Sequence, residues 1–236
     1  MKTALIADIH GNLIALEAVL GDAERRKVDR VVCLGDVAAT GPQPREVVER
    51  LAELACPVVQ GSTDEWLLSP PEEEQVDDED TQRILDIDRW VREQLEPEHL
   101  ELIAGYRPVV ELDDLVGYHG SPLSNTDSIL PGTPEAELAR MLRGHDAAVM
   151  AGGHTHVVMM RPYGRSLVVN PGSVGMPFEH IGDGRFRNPP WAEYAIAARG
   201  KIEFRRVPID VRAVTSAALE SGMPHGGWWV KDWAWS

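Results

Sequence analysis

Three short, mostly apolar runs near the start of the chain, Thr3–Ala7, Arg30–Leu34 and Pro57–Gln60, each give way at once to polar residues. None alternates apolar with polar, so each reads as a strand covered on both faces, the habit of a parallel sheet. Helical patterns separate them. Asn12 is placed to cap a helix that presents Leu13, Leu16 and Leu20 on one face, and Pro44 to open a helix striped by Val47, Val48, Leu51 and Leu54. Strand, helix and strand in this order predict βαβ units. The polar followers are Asp8 and His10, then Asp36, then Ser62, Thr63 and Asp64. All would gather in the crevice at the carboxyl ends of the strands.

Residues 65–106 change in character. Ser69-Pro70-Pro71 leads into Glu72–Glu74 and Asp77–Asp80, an expected exposed acidic loop, followed by helix to about Leu95 and a further helix from Pro97. Beyond it the pattern looks antiparallel. Val109–Leu112 and Leu115–His119 flank Asp113-Asp114, Val157–Arg161 is set to pair with Leu167–Asn170, and Ala192–Ala198 with Lys201–Val207. A helix over Glu135–Leu142 and a buried strand over Ala147–Ala151 stand between these hairpins. The stretch Met223–Ser236 carries four of the seven tryptophans and is expected to cap the body or to join an interface.

Composition narrows the class. With 236 residues, 43% of them hydrophobic, the chain can bury a sizeable core. It has no apolar run of the roughly 20 residues that a membrane span needs, and its start lacks the features of a signal peptide, so a cytoplasmic protein is expected. Cys33 and Cys56 read as two buried thiols. The net charge of −15 argues against a nucleic acid or an anionic membrane as the main partner. A small phosphorylated substrate remains compatible, because cations gathered in a pocket reverse the field locally.

The chemistry is concentrated in the histidines. The chain has eight, and four of them, His10, His119, His154 and His156, stand at or just beyond expected strand ends in glycine-containing stretches. Asp8-Ile9-His10 and His154-Thr155-His156 each place two ligand residues one position apart, a spacing that can converge on one ion. Divalent Mn²⁺, Fe²⁺ or Zn²⁺ accept imidazole nitrogen and carboxylate oxygen together.

Six stretches together carry a resemblance: Ala7 to Asn12, Leu34-Gly35-Asp36 with Gly41-Pro42 beyond, Gly61 to Asp64, Tyr118 to Pro122, Gly152 to His156, and Asn170 to Gly175. The set resembles the calcineurin-like metallophosphoesterase superfamily, most closely its small prokaryotic branch of phosphodiesterases and diadenosine-tetraphosphatase-like proteins. The resemblance implies an α/β fold, a four-layer α/β/β/α sandwich of two mixed β-sheets flanked by helices. It also implies one domain over residues 1–236, with a helical and acidic insertion at 65–106 and a C-terminal extension at 208–236. Two divalent ions (Mn²⁺, Fe²⁺, Zn²⁺, Co²⁺ or Ni²⁺) are implied: one on Asp8, His10, Asp36 and His156, the other on Asp36, His119 and His154, with Asp36 bridging. A hydroxide shared by the ions would hydrolyse phosphodiester or phosphomonoester bonds of a small substrate.

The third stretch departs from the family pattern. Gly61-Ser62-Thr63-Asp64 stands where the family usually has Gly-Asn-His and an acid. Ser62, a poorer ligand than the missing amide, is the candidate in its place, and the second ion is expected to bind more weakly. The missing histidine leaves the proton donor unassigned among Thr63, Asp64 and a histidine from elsewhere, with His180 preferred over His99, His145 and His225. Phosphodiesters and activated aryl phosphates, whose leaving groups need less help, are therefore expected over alkyl monoesters. Arg161 and Arg185, with Arg187, are candidates to grip substrate phosphate. The alternative reading is a catalytically silent scaffold or regulatory binding protein, as the phosphoesterase-like subunit of retromer is thought to be.

Overall fold

The computed structural model describes residues 1–71, 78–182 and 185–233 of the chain. It opens with the expected alternation of β1 (Lys2–Ile6), α1 (Leu13–Arg25), β2 (Arg30–Cys33) and α2 (Pro44–Leu54). Asn12 caps α1 by accepting from the Ala15 N–H at 3.0 Å, and Pro44 opens α2. The third expected strand does not form a ladder. Residues 57–60 make only isolated bridges, Val58 with Cys33 of β2 and Val59 with Arg107 on the other side, and the chain then turns into α3 (Ser62–Leu68). Ser62, Thr63 and Asp64 thus form the first turn of a helix.

Next come α4 (Glu79–Gln94) and α5 (Pro97–Ala104). The side chain of Asp78 caps α4 by accepting from the Thr81 N–H at 2.8 Å. Glu72–Glu74 and Asp77, expected in an exposed loop, lie outside the described residues.

The second half is less antiparallel than its hairpin pattern suggests. β3 (Val110–Leu112), β4 (Leu115–Gly117), α6 (Glu135–Met141), β5 (Val149–Ala151), β6 (Met159–Tyr163) and β7 (Ser166–Asn170) follow in turn. Their strands make one sheet in the order β3-β4-β5-β7-β6. β4, β5 and β7 are parallel, and only the edge strands β3 and β6 run antiparallel. The crossover through α6 is what lets β4 and β5 point the same way. β8 (Glu179–His180) and β9 (Phe186–Arg187) form a small separate hairpin. β10 (Trp191–Ala198) and β11 (Lys201–Pro208) then return to complete the first sheet, ordered β11-β10-β1-β2, and α7 (Val211–Glu220) and α8 (Gly226–Trp229) follow.

The two-residue period of the strands sorts their side chains into layers. Leu5, Ala7, Val32 and Leu34 of the first sheet meet Leu115, Val149, Ala151 and Val169 of the second. Ala4 and Ile6 turn the other way, onto Leu16 and Val19 of α1 and Val47 and Leu51 of α2. Val116, Met150 and Val168 face Leu138 and Met141 of α6. The result is the four-layer α/β/β/α arrangement of two mixed sheets. Val214, Trp229 and Trp233 join the helix-side core, and the Trp229 indole donates to the Thr40 carbonyl at 2.8 Å, so Trp229 and Trp233 cap the body. No helix among the described residues is long and apolar enough to cross a membrane.

Candidate metal centre

The residues that follow β1, β2, β4 and β5 converge, and they do so on an unusual backbone. Asp8, His10, Asp36, His154 and His156 all adopt positive φ, at 55°, 47°, 54°, 68° and 55°. A side chain in this left-handed region costs about 1–2 kcal/mol per residue, so the surroundings must hold it. They do so through the backbone. Ile9 and His10 N–H both donate to the Asp36 carbonyl, at 2.9 and 3.1 Å, and the Gly175 N–H donates to that of Asp8 at 3.0 Å. Two motif glycines give the loops room for this approach. A Cβ on Gly61 would lie 2.1 Å from Asp36 Oδ1, and one on Gly175 would lie 1.8 Å from the Ile9 carbonyl oxygen.

Two clusters result, Asp8 with His10 and His156, and Asp36 with His119 and His154, the ligand-type atoms of each lying within 4.8 Å of one another. Asp36 stands between them. Its Oδ2 is 3.3 Å from His119 Nε2 and 3.9 Å from His10 Nε2. Asp8 Oδ1 lies 3.6 Å from His156 Nε2 and accepts from the His154 N–H at 3.0 Å.

Three imidazoles are oriented from behind. Nδ1 of His10, His119 and His156 donates to the carbonyls of Ala39, Leu34 and Met176, at 3.0, 2.8 and 2.7 Å. A carbonyl can only accept, so each Nδ1 carries its proton and each Nε2 faces inward; in His10 and His156, which burial keeps neutral, that Nε2 is a bare lone pair. The His154 ring has no such hydrogen bond among the described residues. It meets His119 edge-on, with centroids 5.2 Å apart.

The charges follow burial and neighbours. Burial pushes Asp8 up to about 8. Burial would raise Asp36 as well, but His119 beside it holds its carboxyl well below the usual range. His119 is in turn raised to about 10, the Asp36 carboxylate outweighing the effect of burial. Burial and the neighbouring His10 bring His156 down to about 3.

This arrangement fits a divalent cation. His10 Nε2 and His156 Nε2 face each other at 3.1 Å with neither holding a proton to share. Asp8 Oδ2 and His119 Nε2 are buried with no hydrogen-bond partner among the described residues. Buried polar atoms are normally satisfied, and these orphans belong to a mixed set of imidazole nitrogen and carboxylate oxygen that suits Mn²⁺, Fe²⁺, Co²⁺, Ni²⁺ or Zn²⁺.

Other expected residues fall less simply. Ser62 opens α3 and makes no side-chain hydrogen bond among the described residues. The Thr63 N–H donates to Asp36 Oδ1 at 2.9 Å, while its hydroxyl is buried without a hydrogen-bond partner among the described residues. Asp64 turns away from the clusters and accepts from the backbone N–H of Asp36, Val37 and Gly61, each at 2.9 Å, which makes it a brace for Asp36. His180 packs against Phe186 in the small hairpin, centroids 4.1 Å apart and planes tilted by 47°. His99, His145 and His225 each pair with a carboxylate elsewhere, Glu49, Glu111 and Asp86.

The arginines are not gathered at the clusters. Arg161, on the same face of β6 as Met159, donates to the carbonyls of Pro131 and Thr133 beside α6, so it fastens the outer face of the second sheet. Arg187 pairs with Glu179 at 2.6 Å, and Arg185 is exposed at the hairpin turn. Sequence reasoning missed Phe178, whose ring lies flat on that of His156, with centroids 4.9 Å and planes 13° apart. It also missed the task of Asn170 and Ser173. Asn170 donates to the Gly153 carbonyl at 2.6 Å and Ser173 to that of Asp8 at 2.7 Å. A polar residue ending a buried strand, with a second just beyond the Pro-Gly turn, was the available signal for these two.

Comparison with known proteins agrees with this geometry. The family model described as the calcineurin-like phosphoesterase superfamily domain matches residues 1–191. A metallophosphoesterase from Sphaerobacter thermophilus is 28% identical in its crystal structure, with 98% of each chain covered and a TM-score of 0.77. The hypothetical protein PH1004 of Pyrococcus horikoshii is 21% identical over 94% of each chain, with a TM-score of 0.79. An uncharacterized protein of Methanocaldococcus jannaschii, MJ0912, is 25% identical over 94% of this chain and 93% of its own. On its matched residues, its sandwich of two mixed sheets and the clusters at their strand ends, this chain belongs to the calcineurin-like phosphoesterase superfamily.

Proposed function

We propose that the chain hydrolyses phosphate esters of a small substrate, using two divalent cations that share the carboxylate of Asp36. Asp8, His10, Asp36 and His156 would hold one, and Asp36, His119 and His154 the other. The observation that carries this reading is the pair of bare Nε2 atoms of His10 and His156 facing each other at 3.1 Å, with Asp36 Oδ2 reaching toward both clusters. The likeness to a relative named as a metallophosphoesterase supports it.

Cations bound there supply Lewis-acid charge to a phosphoryl group and lower the pKa of water. The residues supply the positioning. Carbonyls behind His10, His119 and His156 fix which ring nitrogen points inward, and Asp64 fixes the backbone from which Asp36 projects. The second site is the looser one, because the His154 ring has no carbonyl behind it among the described residues and Ser62 stands where the family usually offers an amide.

The Thr63 hydroxyl is too weak an acid to serve as donor at neutral pH, Asp64 accepts from three backbone N–H groups, and His180 meets Phe186 rather than, among the described residues, one of the clustered side chains. Phosphodiesters and aryl phosphates are therefore the preferred substrates, over alkyl monoesters. A single domain working in the cytoplasm on a small phosphorylated molecule is consistent with the net charge of −15.

The test is hydrolysis of bis(4-nitrophenyl) phosphate, 4-nitrophenyl phosphate and an alkyl monophosphate by metal-free protein supplied with Mn²⁺. Mn²⁺-dependent turnover that falls steeply for the alkyl ester is expected. Full occupancy by metal without turnover of any ester would favour the scaffold reading.

A further inference from the structure

The chain contains three phenylalanines, and two of them, Phe178 and Phe186, are each 47% exposed. Single exposed apolar residues are common, but these two are contiguous. Their rings meet edge to face, with centroids 6.1 Å apart and planes at 65°. Phe178 directly precedes β8 and Phe186 belongs to β9. Nearby Ile181 and Val157 are each 41% exposed, and Val157 directly follows His156. An apolar, largely aromatic surface thus begins on the wall of the candidate centre, where Phe178 lies flat on His156, and continues outward along the hairpin.

Water is a poor partner for this surface, and its position says what a better one would be. Any group resting on Phe178 is one side chain away from the inward-facing Nε2 of His156. A phosphoryl group held at the clusters would put its own ester substituent within reach of the rings. Aromatic rings favour another planar ring in offset or edge-on contact over an aliphatic chain.

Resting on the phosphoesterase reading above, we propose that Phe178 and Phe186 form a stacking subsite for a planar aromatic group carried by the phosphate ester substrate. The preference for aromatic esters then has two independent sources, a leaving group that needs no proton donor and a surface that binds its ring.

Unreactive phosphonates separate binding from turnover. The Kd values of phenylphosphonate and methylphosphonate are measured by calorimetry on the Mn²⁺-loaded protein, alongside Mn²⁺ stoichiometry. The unsubstituted protein is expected to bind phenylphosphonate about tenfold more tightly, the order expected of one aromatic contact plus its buried area. Phe186→Ala and Phe178→Ala should bring that ratio toward one, and Phe178→Trp should retain it. A ratio near one in the unsubstituted protein, or one that survives both alanine changes, overturns the subsite. So does a Phe178→Ala protein that loses Mn²⁺ and weakens both phosphonates equally, since Phe178 would then only support His156. If the unsubstituted protein takes up neither Mn²⁺ nor methylphosphonate, the phosphoesterase reading itself fails.

Discussion

Asp64 holds Asp36 by its backbone and not by its side chain. One carboxylate oxygen of Asp64 accepts from the Asp36 and Gly61 N–H groups and the other from that of Val37, each at 2.9 Å. Asp64→Asn would turn an NH₂ group toward backbone donors. Stability should fall by about 1–3 kcal/mol for the unmet hydrogen bonds, and Mn²⁺ should bind more weakly at the same time. Urea unfolding and calorimetry check both, and an Asp64→Asn protein with unchanged Mn²⁺ affinity would mean that the brace has no bearing on Asp36.

Gly61 is as constrained as the carboxylate it touches. An added Cβ would lie 2.1 Å from Asp36 Oδ1 and 2.3 Å from its backbone nitrogen, so neither group can yield without the other moving. Gly61→Ala is expected to cost about 1–3 kcal/mol, the range for overpacking a tight site, and to weaken Mn²⁺ uptake. Gly164→Ala is the control. Its φ is positive, at 57°, unlike that of Gly61 at −81°, but nothing among the described residues lies within 4 Å of an added Cβ, so Mn²⁺ uptake should not change.

Asp22 provides a pH test away from the centre. It accepts from the Tyr194 hydroxyl at 2.8 Å and from Arg205 Nε at 3.1 Å. Burial works to raise its pKa, but these two partners hold it below the ordinary carboxylate value. A pKa depressed by folding gives stability that is full above the unfolded value of about 3.9 and is lost as pH falls through the folded value. Asp22→Asn should be less stable than the unsubstituted protein at pH 7, with the gap closing below about pH 4. Urea unfolding at pH 7, 5 and 3.5 measures it, and a gap independent of pH would contradict the assignment.

The C-terminal extension is expected to unfold with the body. Trp229 is buried against the helix-side core and donates to the Thr40 carbonyl, next to Ala39, whose own carbonyl orients His10. Trp229→Ala should cost about 3–5 kcal/mol, as large-to-small core changes do, within a single cooperative transition seen by both fluorescence and circular dichroism. Two separated transitions would show that the extension folds independently.

What could be read beforehand follows from the range of the interactions involved. β1 and β2 were legible as unbroken apolar runs, and α1 and α2 because each buries one face at the helical period and starts on its own signal, the Asn12 cap or Pro44 in the first turn. The strand expected at Pro57–Gln60 reduces to single bridges because α3 starts at Ser62, a boundary that no residue in the run announces. The parallel centre of the second sheet was hidden because Val109–His119 and Val157–Asn170 are true hairpins, while the pairing of β4 with β5 and of β5 with β7 is long-range. At the candidate site, residue type and order brought out the six clustered residues. They could not show the positive φ at five of them, or that Arg161 is committed to the Pro131 and Thr133 carbonyls. Phe178 was missed because its contact with His156 depends on how the chain returns after β7.

The most direct measurement is the number of Mn²⁺ ions bound per chain in metal-free protein, by calorimetric titration, for the unsubstituted chain and for Asp36→Asn. Two ions are expected for the former, the second bound more weakly, and Asp36→Asn should lose metal binding and phosphoester hydrolysis together, because both clusters depend on that one carboxylate. An Asp36→Asn protein that still binds two ions and keeps full activity would contradict the shared centre.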